Sequence, residues 1–413
     1  MTNKAQHGMQ KREKKLFSGS ETMFEVQAWP KQSSINRISD RSVITEAFYA
    51  RFLTYFTSEG DGKDIRNRAS WFHRLPYFAV DGTNEALTLA VESTALSYCA
   101  VQTQNPALQR HARDLYGRAM QNHGRFLARS RTGKDAVTIH MISTSVLFSF
   151  FEAMQATNVD AYCSHIYGAA KMFEVTDPRQ CTEGVLCQIF YHIRTQMAFA
   201  QLTSQGKQTP VDVKKILYNA LDYEELPVFQ RLVTHFTRLA DVYSKVNVSN
   251  KQGYMEDADA QMISTAVEDL WDEYEAASAL DDEQLTWYDD LHGTMEYRDA
   301  FTALVCAYFS ASRILLAIVA PSITVPVPDS TNHHQNILNV AHYLETHLIG
   351  CAYMRMAAPL LLVTLYAPKM GQRKRAFDYF QHWEDNQGLR GITTLVVDCM
   401  YRYMGMRALR EKE

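Results

Sequence analysis

The chain has 413 residues, 46% of them hydrophobic and 21% charged, with a formal net charge of −4. That composition builds a folded protein with a large core and excludes both a low-complexity chain and one that seeks polyanions through its overall charge. The seven cysteines are scattered at 99, 163, 181, 187, 306, 351 and 399 without a C-x-x-C pair, which points to buried thiols in a reducing compartment and away from a disulfide framework.

Residues 1–21 are polar and carry the basic run Lys11-Arg12-Glu13-Lys14-Lys15. They read as a disordered, solvated tail, with a nuclear address or a nucleic-acid arm as the sharper alternative. Phe24–Asp40 reads as a loop, and Ser42–Phe56 as an amphipathic helix through Ile44, Phe48, Phe52 and Phe56. Trp71–Phe78 is a compact aromatic segment. Helical periodicity then predicts four successive helices, over Glu85–Val101, Ala107–Arg129 behind Pro106, Ala136–Thr157, and Val159–Glu174 capped by Asn158. Ala136–Thr157 is apolar nearly all round its middle, from Val146 through Met154, and is the expected central helix.

Further helices are predicted over Thr182–Leu202, from Pro227 through Tyr243, and over Ala258–Leu280, which is acidic. Leu285–Ala320 reads as one long aromatic and apolar helix, with strand signals nearly absent throughout. The three prolines of Pro321–Thr331 mark a linker. Helices over His334–Tyr353, Lys374–His382 and Ile392–Leu409 close the chain. The expected architecture is all-α: a tail and loop over 1–40, a main helical body over 41–320, the linker over 321–331, and C-terminal helices over 332–413 packing on the body. No secretory segment follows Met1. The most apolar stretches are interrupted by Arg313 and by Arg355 with Pro359, so no membrane association is expected and the protein reads as intracellular, nuclear or cytoplasmic.

The segments "ALSYCAV", "ARDLYGRAMQNHGRFL" and "VLFSFFEAMQATNVDAYCSHIYGAAKMFE", with "PLLLVTLYAPKM" near the C-terminus, resemble the helical regulatory body of fungal Zn₂Cys₆ zinc-cluster transcription factors. The matching points are Tyr162, His165, Gly168 and Ala169. The resemblance covers roughly residues 40 to 410, and it implies a large helical body that senses a metabolite or docks a partner. The zinc-cluster reader of that family needs six closely spaced cysteines, and residues 1–40 contain none. Either the protein lacks the reader or the reader lies upstream of Met1.

No nucleophile elbow, phosphate loop, dinucleotide fingerprint or H-E-x-x-H is present, so no cofactor is expected. Glu268, Asp269, Asp272 and Glu273 place carboxylates on one helix face, as in metal-dependent terpene cyclases, but no second metal motif follows and a solvated acidic face is favoured. Cys181, Cys187 and His192 diverge on a helix and make poor joint metal ligands. The basic clusters Arg125/Arg129/Arg131/Lys134 and Arg373/Lys374/Arg375 lie in no DNA-reading motif, so they read as solvated and no sequence-specific DNA binding is expected.

Two functions fit these features. One is a regulator-like protein without its own DNA reader that binds a small hydrophobic metabolite, a partner protein or a second copy of itself. The other is the same scaffold used as a cofactor-independent cyclase of the hetero-Diels–Alder type, joining tropolone-type quinone methides to terpenes as standalone proteins of fungal biosynthetic pathways do. Tyr98, Tyr162, His165 and Tyr191 are the expected ligand-binding wall residues, with His165 and Tyr162 the first to test as catalytic groups. A dimerising scaffold with the acidic helix as its partner surface is the plainer third option.

Overall fold

The chain divides into two units, Met1–Arg41 and Ser42–Glu413. The computed structural model describes residues 71–132, 136–175, 184–204, 228–249, 255–280, 283–322, 330–347 and 350–410, all within the second unit. The expected tail, its basic run, the loop over 24–40, the helix over 42–56 and most of the proline-rich linker lie outside the described residues.

Those residues form an all-α fold of thirteen helices and one short hairpin: α1 Trp71–Val80, α2 Glu85–Gln102, α3 Pro106–Arg131, α4 Ile139–Gln155, α5 Ala161–Glu174, α6 Gly184–Thr203, α7 Val228–Ser249, α8 Asp257–Leu280, β1 Thr286–Asp289, β2 Thr294–Tyr297, α9 Ala300–Val319, α10 Ser330–Thr346, α11 Gly350–Tyr366, α12 Met370–Gln387 and α13 Arg390–Arg410. Local signals set many of the boundaries. Asn84, Asn105, Thr138 and Asp299 cap α2, α3, α4 and α9 by accepting backbone N–H bonds, and Pro106 occupies the first turn of α3. Asn158 does not cap α5. The helix starts after Asp160, and the Asn158 side chain closes the preceding turn by accepting the Asp160 N–H at 2.8 Å.

The helix α4 is buried at every residue from Met141 to Gln155. It lies against α2, α3, α5, α6 and α13. Phe148 and Phe151 are among the largest fully buried side chains, and truncating either to Ala would cost about 3–5 kcal/mol. The last helix returns to the first ones: α13 packs on both α4 and α6. Two glycines permit that return. Gly388 takes the left-handed conformation (φ 67°) that ends α12, and a Cβ there would sit 2.3 Å from Val101 Cγ1. A Cβ on Gly391 would sit 1.9 Å from the Glu152 carbonyl oxygen, so only glycine lets α13 start against the end of α4.

Two predicted elements are corrected. Leu285–Ala320 is not one helix. Its first part is an antiparallel hairpin pairing Thr286 with Tyr297 and Asp289 with Thr294. Asp289 Oδ1 accepts the Leu291 and His292 N–H groups, Gly293 supplies a φ of 68°, and Asp299 caps a new helix. Those turn signals outweigh the continuous apolar character of the segment. His334–Tyr353 is likewise divided between α10 and α11. The aromatic segment at 71–78 is itself helical. Arg298 ties the hairpin to the body, bonding Glu283, Asp299 and the Tyr274 hydroxyl.

The helix α9 has the length and composition to cross a membrane. In this fold it is buried between α7, α10 and α11, and its Arg313 bonds Ser264 and Glu268 on α8.

Candidate functional site

The helix α6 carries an unusual load of polar side chains for a buried helix. His192, Arg194, Thr195, Gln196, Gln201 and Thr203 are all buried, because the helix packs against α5, α7, α11 and α13 and touches α1 and α4. Most of these groups are accounted for locally. Arg194 donates to Thr234 Oγ1 on α7 and lies 5.6 Å from the Phe190 ring centroid; burial brings its guanidinium down to about 10. Thr195 and Thr203 return bonds to carbonyls in their own helix. The carbonyls at its end are covered by α13: Arg402 donates to Thr203 O at 2.6 Å and Cys399 Sγ to Leu202 O at 3.9 Å.

His192, Gln196 and Gln201 each keep a buried polar atom with no hydrogen-bond partner among the described residues. His192 and Gln196 stand one turn apart on α6 and so share a face. The His192 ring stacks on Phe150 of α4, with centroids 5.2 Å apart and planes 15° apart, and lies 6.0 Å from the Trp71 ring. Burial, with the positive charge of Arg355 second, pushes its pKa down to about 3, so the imidazole is neutral. Its Nε2 is buried and has no hydrogen-bond partner among the described residues. Gln196 accepts the Tyr162 O–H at 2.6 Å through Oε1, while its Nε2 is buried and equally open. Turning the amide over exchanges the two atoms but still leaves one of them without a partner. A buried polar atom without a partner costs on the order of 1–3 kcal/mol, and these two on one face are open to a hydrogen bond from a water or a ligand.

A proline shapes the backbone beside this junction, where Arg355 neighbours His192 and Tyr308 neighbours Tyr162. Pro359 lies inside α11 and carries no N–H, so the carbonyl of Arg355, four residues earlier, loses its helical donor. The hydroxyl of the fully buried Tyr308, on α9, donates to that carbonyl at 2.9 Å. Burial raises the Tyr308 pKa above the ordinary phenol range and the Arg355 charge opposes the rise. Tyr162, His192, Gln196, Tyr308 and Arg355 thus bring α5, α6, α9 and α11 together at the junction.

A second polar network lies at α3, α4 and α5. The Tyr116 hydroxyl donates to Glu152 Oε1 at 2.7 Å and sits 2.7 Å from His165 Nε2. With the phenol proton committed to Glu152, His165 Nε2 carries the hydrogen that reaches the Tyr116 oxygen. Glu152 also accepts the Thr157 N–H at 2.8 Å and the Thr157 hydroxyl. Tyr116 stacks flat on Phe151 at 4.1 Å and 6°. Burial raises its pKa beyond the phenol range, and the Glu152 charge adds to the rise. Burial also lowers His123 and half-buried His165 to about 4, with mutual repulsion contributing at His165. His123 Nε2 lies 3.1 Å from Ser145 Oγ.

The four residues expected to line a site are therefore dispersed. Tyr162 is at the α6 junction, and Tyr191 is the neighbour of His192 but only half-buried, its ring against Phe190. His165, although on the same helix as Tyr162, bonds to α3. Tyr98 is buried in α2. Sequence reasoning missed Gln196, Tyr308, Arg355, Tyr116 and Glu152, and considered His192 only as a zinc ligand. Pro359 four residues after Arg355 was the available clue. Among the described residues no cluster of three His, Cys, Asp or Glu side chains could hold a metal. On the acidic helix, Glu268 pairs with Arg313 at 2.8 Å and Glu273 with Arg231 at 2.7 Å. The five described cysteines are all buried, and burial raises the Cys306 and Cys399 thiols to about 12 and about 11.

No family model matches the chain, and no curated protein or solved structure matches it either.

Proposed function

We propose that the chain is a metabolite-binding helical body of the kind that fungal zinc-cluster regulators carry, acting without a DNA reader in this sequence and holding its ligand at the α6 junction. The open polar atoms of His192 and Gln196 carry this reading. The aromatic rings of Phe150 and Trp71 flank a neutral imidazole, and Arg355 places positive charge nearby. That combination suits a small, planar, largely apolar molecule bearing a carbonyl or enolate oxygen, which would accept from Gln196 and His192 while its flat face stacks.

The same groups favour one alternative. Neutral donors in an apolar, aromatic setting can hydrogen-bond the carbonyl of a heterodiene and hold it against an alkene, which is what a cofactor-free hetero-Diels–Alder cyclase requires. Trp71 supplies the test. A ligand at the junction changes Trp71 emission in the wild type, and a Trp71→Phe variant isolates that change from the other tryptophans. Native mass spectrometry with fungal metabolite extracts identifies the bound molecule. Release of the molecule unchanged supports the regulator, and release as a cyclised product supports the enzyme. Binding that is undiminished in a His192→Phe variant refutes the site.

A further inference from the structure

The helix α3 has no lysine and carries six arginines against one aspartate, on a chain whose net charge is negative. Its inner face, Ala112, Leu115, Tyr116, Ala119 and His123, is buried. Arg110, Arg113, Arg118, Arg125 and Arg131 are exposed, and none of the five pairs with a carboxylate among the described residues; Asp114, the one acid on the helix, pairs with none of them. Helical geometry arranges this outer face as a track. Gly117, Gln121, Gly124 and Ala128 run down its middle. Arg113 and Arg131 flank one side, Arg118 and Arg125 the other, with Arg110 at one end. A Cβ on Gly117 or Gly124 would meet nothing within 4 Å among the described residues, so the two glycines, each unfavourable inside a helix, have no role in packing among them. They leave a low floor between rows of guanidinium groups.

We infer that this track docks the phosphate backbone of a nucleic acid duplex without reading its bases. Guanidinium groups bind phosphate in bidentate fashion, and the span from Arg110 to Arg131, about 31 Å at helical rise, matches roughly nine base-pair steps at ~3.4 Å each. A protein partner is the poorer fit, because stable protein interfaces need buried apolar or aromatic anchors and Met120, at 41% exposure, is the one large exposed hydrophobic residue on α3. The inference does not depend on the metabolite site.

Fluorescence anisotropy of the full chain with a labelled 20-base-pair duplex tests it. Five phosphate contacts predict micromolar binding at 50 mM salt, weakened roughly 10²- to 10³-fold at 200 mM, and insensitive to sequence. Arg118→Glu with Arg125→Glu should weaken binding at least tenfold, and Arg110→Gln with Arg113→Gln should do so to a smaller degree, with unchanged melting temperatures. Lys374→Glu, at an exposed position of α12, should have no effect. Absence of binding at 50 mM salt, or equal binding by wild type and both arginine pairs, overturns the inference. So does binding of polyglutamate in place of the duplex, which would assign the track to an acidic protein segment.

Discussion

The network around Glu152 and the junction around His192 are both buried and polar, and they differ in completeness. At Glu152, the phenol of Tyr116 and both donors of Thr157 meet one carboxylate. At the junction, His192 and Gln196 each keep a polar atom that no described residue answers. The Glu152 carboxylate commits its bonding capacity to Tyr116 and Thr157, although nearby His123 keeps a buried Nδ1 that no described residue answers. The open junction retains capacity for a ligand.

Acidification should act on both regions and give the largest effect. His123 and His165 on the first side and His192 on the second stay neutral in the folded protein down to about 4, about 4 and about 3, while the unfolded chain protonates them near 6.5. The unfolded state therefore binds more protons, and stability present above about pH 6.5 is lost as pH falls toward 4. Between pH 7 and 5 the loss should be roughly 1–2 kcal/mol per histidine. Urea denaturation at the two pH values checks it, and a stability independent of pH would refute the burial of these rings.

Glu152→Ala should destabilise by roughly 3–5 kcal/mol, since it strands several buried donors at once. Gly391→Ala should cost about 2–3 kcal/mol through its clash with the Glu152 carbonyl, while Gly371→Ala, where a Cβ has open space, should be neutral or mildly stabilising. Thermal melts of the pair separate backbone contact from general helix effects. Tyr308→Phe should cost about 1–2 kcal/mol by leaving the Arg355 carbonyl without its donor. Adding Pro359→Ala restores a helical N–H to that carbonyl, so the double variant should recover part of the loss, and a double-mutant cycle measures the coupling. His192→Phe should change the stability of the free protein by less than about 1.5 kcal/mol, since ring stacking on Phe150 is kept, yet abolish ligand binding. That last contrast, a small structural effect with a large functional one, is what separates the junction from the Glu152 network.

The all-α class and the central helix were legible in the sequence, because an unbroken apolar run such as Val146–Met154 has few other places to go. The hairpin at 286–297 was not, since an aromatic and apolar segment hides its turn unless Asp289, Gly293 and Asp299 are read as stop signals. The site was less legible still. Tyr162 and His165 share a helix but face different neighbours, and nothing in their spacing reveals that Gln196 waits for one and Tyr116 for the other. The Tyr308–Arg355 bond joins residues far apart in the chain, and only the proline gives a local hint of it.

The return of α13 to α4 and α6 has a consequence for how the molecule is made. Gly391, Cys399 and Arg402 cover the ends of helices formed nearly half a chain earlier or more. Contacts of such long sequence separation close slowly, because the intervening chain must be ordered first. During synthesis the ends of α4 and α6 lack these contacts until the segment from Gly391 to Arg402 has emerged. A ribosome that stops before Gly391 would release most of the helices with the ends of α4 and α6 lacking the contacts of α13.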